Sequence, residues 1–192
     1  MTANLHPRVQ ERAGGLIIPG VEFAIAEPVE LRRARVRDVG AIHRLIDAHV
    51  HEGHLLPRTR ENIAAEIEQF IVATRDEAVV GCAELASLGT DVAEVRSLVV
   101  ADDLQGQGLG HALVRALMAA LENGPYKRLC AFTHAPAFFV RLGFTIVPHL
   151  QVPEKVFTDC TSCPLFRQCG QQAVLFWLDG SGRRSGSRER EW

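Results

Sequence analysis

The stretch Asp102-Asp103-Leu104-Gln105-Gly106-Gln107-Gly108-Leu109-Gly110 separates a run of strand character, residues 92–100, from the clearest helical periodicity in the chain. Leu109, Ala112, Leu113, Ala116, Leu117, Ala120 and Leu121 recur at helical spacing, and Asn123-Gly124-Pro125 supply a stop. Glycines at three alternate positions let backbone N–H groups turn inward, and the helix start adds its partial positive charge. A strand, loop and helix joined in this way suit a phosphate or pyrophosphate, although such a turn can also be a plain tight connection. The spelling narrows the choice. A P-loop needs a Gly-Lys-Ser/Thr ending, which is missing here. A dinucleotide fingerprint needs its third glycine where this chain has His111.

Working outward, residues 30–36 read as a first strand, with Asp38 as N-cap of a helix carrying Val39, Ile42, Leu45, Ile46 and Val50 on one stripe. Thr59, after an extended Pro57, caps a second helix whose buried face holds Ile63, Ile67 and Phe70. Residues 71–74 and 78–87 form a hairpin through Arg75-Asp76-Glu77, and 92–100 adds a third antiparallel strand. Residues 128–133 make another strand, and 136–142 a short helix begun by Pro136 and ended by a left-handed Gly143. Residues 144–147 and 173–178 are the closing strands. This order predicts an α+β fold over residues 30–178, a mixed, mostly antiparallel central sheet with helices on both faces. Residues 1–29 read as an N-terminal extension without sustained period. Residues 179–192, rich in glycine, serine and charge, read as a disordered tail.

Composition excludes several classes. The chain has 192 residues, 47% hydrophobic and 23% charged, with a formal net charge of -2, which suits one domain and gives no basic excess for nucleic acid. No apolar run approaches the ~18 to 20 residues of a membrane span, and residues 1–10 lack a signal-peptide pattern, so a cytoplasmic protein without membrane partners is expected. Cys82 and Cys130 lie in apolar runs, as packing thiols do. Cys160-x-x-Cys163 followed by Cys169 has the first spacing of a zinc site. The fourth ligand is undefined, His149 or Asp159 in principle, so zinc is not expected. His49-Val50-His51-Glu52-Gly53-His54 also looks metal-like but lacks the spacing of a helical ligand pair, and it is read as a helix end.

Gln105-x-x-Gly108-x-Gly110 after Leu98-Val99-Val100 resembles the GNAT family of acetyl-CoA-dependent N-acyltransferases. The element order and Phe138-Phe139-Val140-Arg141-Leu142-Gly143-Phe144 fit the family too. The resemblance implies acetyl-CoA as co-substrate, its pyrophosphate on the amides of Gln105, Gly106, Gln107, Gly108, Leu109 and Gly110. It implies a pantetheine arm paired like an extra strand with Leu98, Val99 and Val100, with Phe139 beside the cofactor. A narrower resemblance, to the acetyltransferase domain of N-acetylglutamate synthases, is carried by Leu55-Leu56-Pro57-Arg58-Thr59, Gly81-Cys82-Ala83-Glu84-Leu85, Glu94-Val95-Arg96-Ser97-Leu98-Val99-Val100, Pro136-Ala137-Phe138-Phe139 and Val152-Pro153-Glu154-Lys155-Val156. It implies acetylation of the α-amine of L-glutamate or glutamine, the first step of arginine biosynthesis, by a short single-domain form compatible with a homodimer.

An N-acetyltransferase must take a proton from the acceptor ammonium and return one to the thiolate. Glu94 is the expected base: it lies four residues before Leu98, on the side shared by every second residue of the strand, and the resemblance places the synthases' base here. The tyrosine that many GNAT enzymes use as acid is replaced by Phe138 or Phe139; the resemblance to the synthases implies Thr133 instead, acting directly or by ordering water, with His134 as the other nearby donor, while Thr133 equally suits a strand-end residue that closes a backbone turn. Arg58 and Arg96, with Lys155 from a Pro-Glu-Lys loop, are the expected readers of a substrate carboxylate. Near Gln168-Cys169-Gly170-Gln171 the synthases' arginine-x-serine pattern has no match. Two alternatives stay open. One is a GNAT enzyme for another amine, such as a protein N-terminus, a drug, or a polyamine, which would want acidic groups in place of the arginines. The other is a non-catalytic acyl-CoA sensor, favoured by the missing tyrosine.

Overall fold

β-Rich runs punctuated by tight turns build the sheet first. In the computed structural model, which describes residues 29–51, 55–121, 124–163 and 166–178, the strands are β1 (Glu30–Arg33), β2 (Phe70–Arg75), β3 (Ala78–Ser87), β4 (Val92–Val100), β5 (Arg128–Thr133), β6 (Thr145–Val147) and β7 (Gln172–Trp177). They form one seven-stranded sheet in the order β1-β2-β3-β4-β5-β7-β6. Every neighbouring pair is antiparallel except β4 and β5. The β2–β3 hairpin turns on Asp76 and Glu77, both at positive φ (50° and 65°), the twist that a two-residue hairpin loop favours.

The helices are α1 (Val39–Val50), α2 (Arg60–Ala65), α3 (Leu109–Ala120), α4 (Pro136–Val140) and α5 (Pro153–Thr158). α1 and α2 cover one face, where Ile42, Ile46, Ile63 and Ile67 pack on Phe70, Val72, Cys82 and Val99. α3 and α4 cover the other, where Leu109, Leu113, Leu117 and Phe139 meet Ala83, Val95, Leu129 and Val174. Full burial of each large side chain contributes about 2 kcal/mol, so α3, apolar on its whole inner stripe, is anchored by packing. A third cluster, Val92, Cys130, Val147, Val152, Ala173 and Leu175, sits towards the β5–β7–β6 end of the sheet. The expected fold class is the one observed.

Several local expectations change. β1 ends at Arg33, and a 3₁₀ turn over Val36–Asp38 precedes α1. Asp38 does not cap α1 with its side chain. Its carboxylate instead accepts the Arg35 amide (2.8 Å) and both terminal nitrogens of Arg32 (2.7 and 3.0 Å). Thr59 does cap α2, its Oγ1 accepting the Asn62 amide at 3.2 Å. That helix stops at Ala65, and Phe70 belongs to β2, because a 3₁₀ turn over Ile67–Gln69 ends the helical run. α4 ends at Val140 rather than 142, and Gly143 takes the expected left-handed φ (93°). Lys155, expected on a loop, lies in α5, whose residues are all at least partly exposed and so leave no apolar stripe to read. Residues 1–28 and the 179–192 tail lie outside the described residues.

Asp38 is 5% exposed, and the hydrogen bonds from Arg32, aided by the Arg35 amide, hold its carboxyl below the ordinary value of 3.8 despite burial. A carboxyl with a depressed folded pKa contributes stability in full above 3.8, and loses it as pH falls through the lower folded value. Asp38→Asn should therefore destabilise the fold by about 2 kcal/mol at neutral pH. The gap to the parent protein should shrink below pH 3.8, as urea titrations at neutral and acid pH would show.

Candidate active site

The site begins with a defect in β4. Cys82 pairs with Val99 and Glu84 with Arg96, so three steps on β4 match two on β3, and Ser97 and Leu98 together oppose Ala83. Ser97 takes the strain, at φ 48°. The buried thiol of Cys82, pushed up to about 12 by desolvation, donates to the Ser97 carbonyl (3.4 Å). The extra residue resets the alternation. Ala93 and Val95 before it, and Leu98 and Val100 after it, all pack on the α3 side, while Val99 faces α1. Glu94 is therefore on the face opposite Leu98, which corrects the expectation of simple alternation. Arg96 does share the Glu94 face, and the two side chains pair.

Beyond Glu94 the sheet splits. β4 and β5 pair in parallel only from Val92 to Glu94, against Arg128 to Cys130. Past that point each strand runs on alone on its facing side. The gap belongs to a cleft of about 1500 Å³, bordered by Glu94 to Val100, Ala131 to Thr133, and Gly106, Gly108 and Gly110, with Gln107 and Leu109 outside its lining.

On the α1 face of the split, between the Ile42/Phe70 and Val92/Val152 clusters, lies a charged slot. Glu94, 2% exposed, accepts from Lys155 Nζ (2.9 Å) and from Arg96 Nε. Asp159, just after α5, accepts from Arg96 and from Lys155 (2.8 Å). Burial opposes both charges, yet Glu94 raises the pKa of Arg96, and Lys155 with Arg96 holds Asp159 below its ordinary value. Arg58 reaches in from the start of α2. Its Nη1 donates to the unexposed carboxylate of Glu84 (2.6 Å), and its Nη2 to Glu66. Ser97 Oγ also donates to Glu84 (3.0 Å). Burial still pushes the Glu84 carboxyl above its ordinary range, against the pull of Arg58.

At the far side, Gly106 and Gly108 have φ of 74° and 87°, the left-handed backbone that turns the loop into the start of α3. Gly110 is not a turn residue. It lies inside α3, where a Cβ would come within 3.3 Å of the Phe138 ring. Ala112 is the first α3 residue whose amide bonds back, onto Gly108 (3.1 Å), which leaves the Leu109, Gly110 and His111 amides at the cleft without an intrahelical carbonyl. Gln105 Nε2 donates to the Val100 carbonyl (3.1 Å), and Gln107 Nε2 to Asp103 (2.8 Å), fixing the loop's shape. His111 stacks on Phe138 (centroids 4.5 Å apart, 9° between planes), and burial lowers its pKa. His49 bridges Leu45 and Asp102 (2.8 and 3.1 Å), tying α1 to the loop.

Thr133 ends β5 at the cleft, with Oγ1 accepting the Ala135 amide at 3.0 Å; this leaves its hydroxyl proton to donate. Phe139 is buried between Phe138 and Phe144, though it still touches the cleft, and Phe138 forms the more open wall. Cys160, Cys163 and Cys169 also border the cleft, the first two joined across a 3₁₀ turn. Among the described residues, no three His, Cys, Asp or Glu side chains are placed to hold a metal ion. His54 lies outside them. The sequence reading missed Glu84, Glu66 and Asp159. Glu84 carries a signal, a charge inside the apolar run of β3; the other two are ordinary surface acids in sequence.

The family model described as acetyltransferase (GNAT) domain matches residues 66–146. An uncharacterized N-acetyltransferase of Chlorobaculum tepidum is 33% identical over 145 residues, 76% of this chain and 94% of its own length. The amino-acid acetyltransferase of Mycobacterium tuberculosis is 33% identical over 67% of this chain and 75% of its own. That of Shewanella oneidensis is 34% identical over 71% of this chain, which spans about a third (31%) of that relative. Among solved structures, Rv2747 from Mycobacterium tuberculosis, in complex with CoA and NLQ, superposes with a TM-score of 0.68 at 27% identity, covering 78% of this chain and 99% of its own. N-acetylglutamate synthase from Neisseria gonorrhoeae, complexed with coenzyme A and N-acetyl-glutamate, gives 0.71 at 25% identity over 81% of this chain and 36% of its own. Since the match to the Chlorobaculum protein runs through nearly all of that relative and the solved structures share the fold, the chain belongs to the GNAT family of acetyltransferases.

Proposed function

We propose that this acetyl-CoA-dependent N-acetyltransferase acetylates the α-amine of L-glutamate or L-glutamine, the first step of arginine biosynthesis, and that it works in the cytoplasm. The observation that carries the reading is the charged slot, in which Arg96 and Lys155 hold a buried Glu94 at the apex of the split between β4 and β5, and Arg58, seated on Glu84, lines the same cleft. An acceptor with both an amine and a carboxylate has a partner there for each group. The amino-acid acetyltransferases among the relatives, and the N-acetyl-glutamate in the Neisseria complex, point the same way.

The residues fit acetyl-CoA. The two left-handed glycines and the free first-turn amides of α3 form an anion cradle, and a side chain at Gly110 would press on the Phe138 ring at 3.3 Å. Past Glu94, the edge of β4 that faces β5 is unpaired, which suits an amide-bearing arm along Leu98 to Val100; the Val100 carbonyl is already held by Gln105. When bound, acetyl-CoA supplies a thioester carbonyl for the amine and a thiolate as leaving group.

Each protein group then has a defined task. Arg58 and Arg96 orient the acceptor by its carboxylate. Glu94 already accepts from Arg96 and Lys155, and a carboxylate's remaining lone pairs can take the ammonium proton directly or through one water. The Thr133 hydroxyl, its oxygen anchored on the Ala135 amide, donates a hydrogen bond to the departing thiolate or orders a water there, and solvent supplies the proton that completes the free thiol. Phe138 and Phe139 cannot do this, having no hydroxyl.

Glu94→Gln should lower kcat about 100-fold or more while changing the KM for acetyl-CoA less than about twofold. Thiol release measured from pH 6 to 9 checks this, and parent-like activity throughout removes Glu94 as the base. Arg96→Ala should raise the acceptor KM at least about tenfold. Arg58→Lys should do the same, and it keeps a cation against the buried Glu84, which Ala would strand at a cost of about 3 kcal/mol or more. An acceptor KM equal to the parent's excludes that arginine from the site. Gly108→Ala forces a side chain into left-handed backbone at about 1 kcal/mol, and should raise the acetyl-CoA KM with the acceptor KM held. Initial rates with each substrate varied in turn separate these effects. Turnover on spermidine with none on glutamate or glutamine would identify a different acceptor amine.

A further inference from the structure

Each arginine in the slot is bound to two carboxylates of unequal depth. Arg58 holds Glu84, whose side chain is unexposed, and Glu66, whose side chain is 41% exposed. Arg96 holds Glu94, 3% exposed, and Asp159, 38% exposed. The slot therefore contains four carboxylates, Glu66, Glu84, Glu94 and Asp159, against three cations, Arg58, Arg96 and Lys155, before any substrate arrives. Each guanidinium has five N–H donors, so both arginines keep some for a substrate carboxylate, but the Nη2 end of Arg58, which faces Glu66, opens to one only if Glu66 leaves.

The two outer acids differ in how firmly they are held. Asp159 is fastened twice, by Arg96 and by Lys155. Among the described residues Glu66 has one cation, Arg58, through Nη2. It stands just past the last residue of α2, at φ -111° and ψ 15°, where the helix has ended. Glu84 below it takes both Arg58 nitrogens and the Ser97 hydroxyl, and has no route to water. Glu66 and Glu84 share one guanidinium, and a side-chain hydrogen bond with Glu66 adds to burial, the main cause, in raising the Glu84 pKa.

Building on the amino-acid reading above, we propose that Glu66 is a built-in competitor at the acceptor subsite: it occupies Arg58 in place of the acceptor's carboxylate and swings into water when an acceptor binds. The exchange leaves the number of charges on Arg58 unchanged. One carboxylate replaces another, Glu84 stays, and Glu66 recovers its hydration. An amine without a carboxylate has nothing to offer Arg58 and leaves Glu66 in place, so the arginine gives that amine no binding energy. The same device weakens the binding of correct acceptors by the strength of the pair being broken, about fivefold at most for one this exposed.

The test is Glu66→Gln, a change at a half-exposed position. The acceptor KM for the amino acid turned over by the parent should fall about three- to fivefold, and so should its Kd by calorimetry on the CoA-bound protein. The acetyl-CoA KM should move less than about twofold. In an Arg58→Lys background the same substitution should leave acceptor KM and Kd where they were, since the geometry for which Glu66 competes is gone. An acceptor KM that is unchanged or raised by Glu66→Gln overturns this inference while the amino-acid reading stands. Absence of both binding and turnover for every α-amino acid tried overturns the two together.

Discussion

One residue too many in β4 sets the geometry of this molecule. Because Ser97 and Leu98 share a single partner on β3, the strand swings its far half out of step and its side chains change faces between Val95 and Leu98. The same strand has lost its hydrogen bonds to β5 by that point. A regular strand would have placed Leu98 and Val100 on the α1 side. With the bulge, apolar residues line the α3 side, charged ones stay on the other, and both borders face the cleft that opens where the β4–β5 ladder stops. The strain at Ser97 is supported by a buried thiol on its carbonyl and by Glu84 on its hydroxyl, two contacts that a neighbouring strand can provide only at this register.

Placing so many charges in a half-buried slot carries a heavy desolvation cost unless each has a partner. Two acids, Glu84 and Glu94, are almost fully covered, and each is paired with an arginine. The pairing also explains how a protein of net charge -2 can offer anion-reading groups. Its cations are local and matched, so the potential stays small until a ligand rearranges the pairs. The glycine loop, proposed above as the anion cradle, offers backbone amides and has no Lys or Arg of its own between Asp102 and Gly110.

Much of this was legible in the residues. The β3 and β4 runs, the α3 stripe and the glycine spelling carried the fold class, because period-2 and period-3.6 patterns are direct records of which side is buried. Glu94, Arg58, Arg96 and Lys155 do converge on one cleft. The bulge was not legible: Ser97 is not a glycine, and alternation carries no mark for an inserted residue. α5 was not legible either, since its residues bury no stripe. Glu66 and Asp159 owe their positions to chain segments that meet only in three dimensions, 8 and 63 residues from the arginines they contact. Gly110 was assigned to the turn, but its need for a bare backbone comes from an aromatic ring 28 positions later.

The Arg58–Glu66 pair has a mechanical side as well. The two residues flank α2, one just before its Thr59 cap and the other just after Ala65, so the ion pair spans a helix of six residues like the closure of a clasp. A helix that short has little stability of its own. With the clasp open, α2 is retained by the Thr59 cap and by the burial of Ile63, with Ile67 just beyond it. Amide exchange in residues 60–66 is therefore a direct readout of whether Arg58 is engaged with its own chain or with something else, and it needs no turnover to be seen.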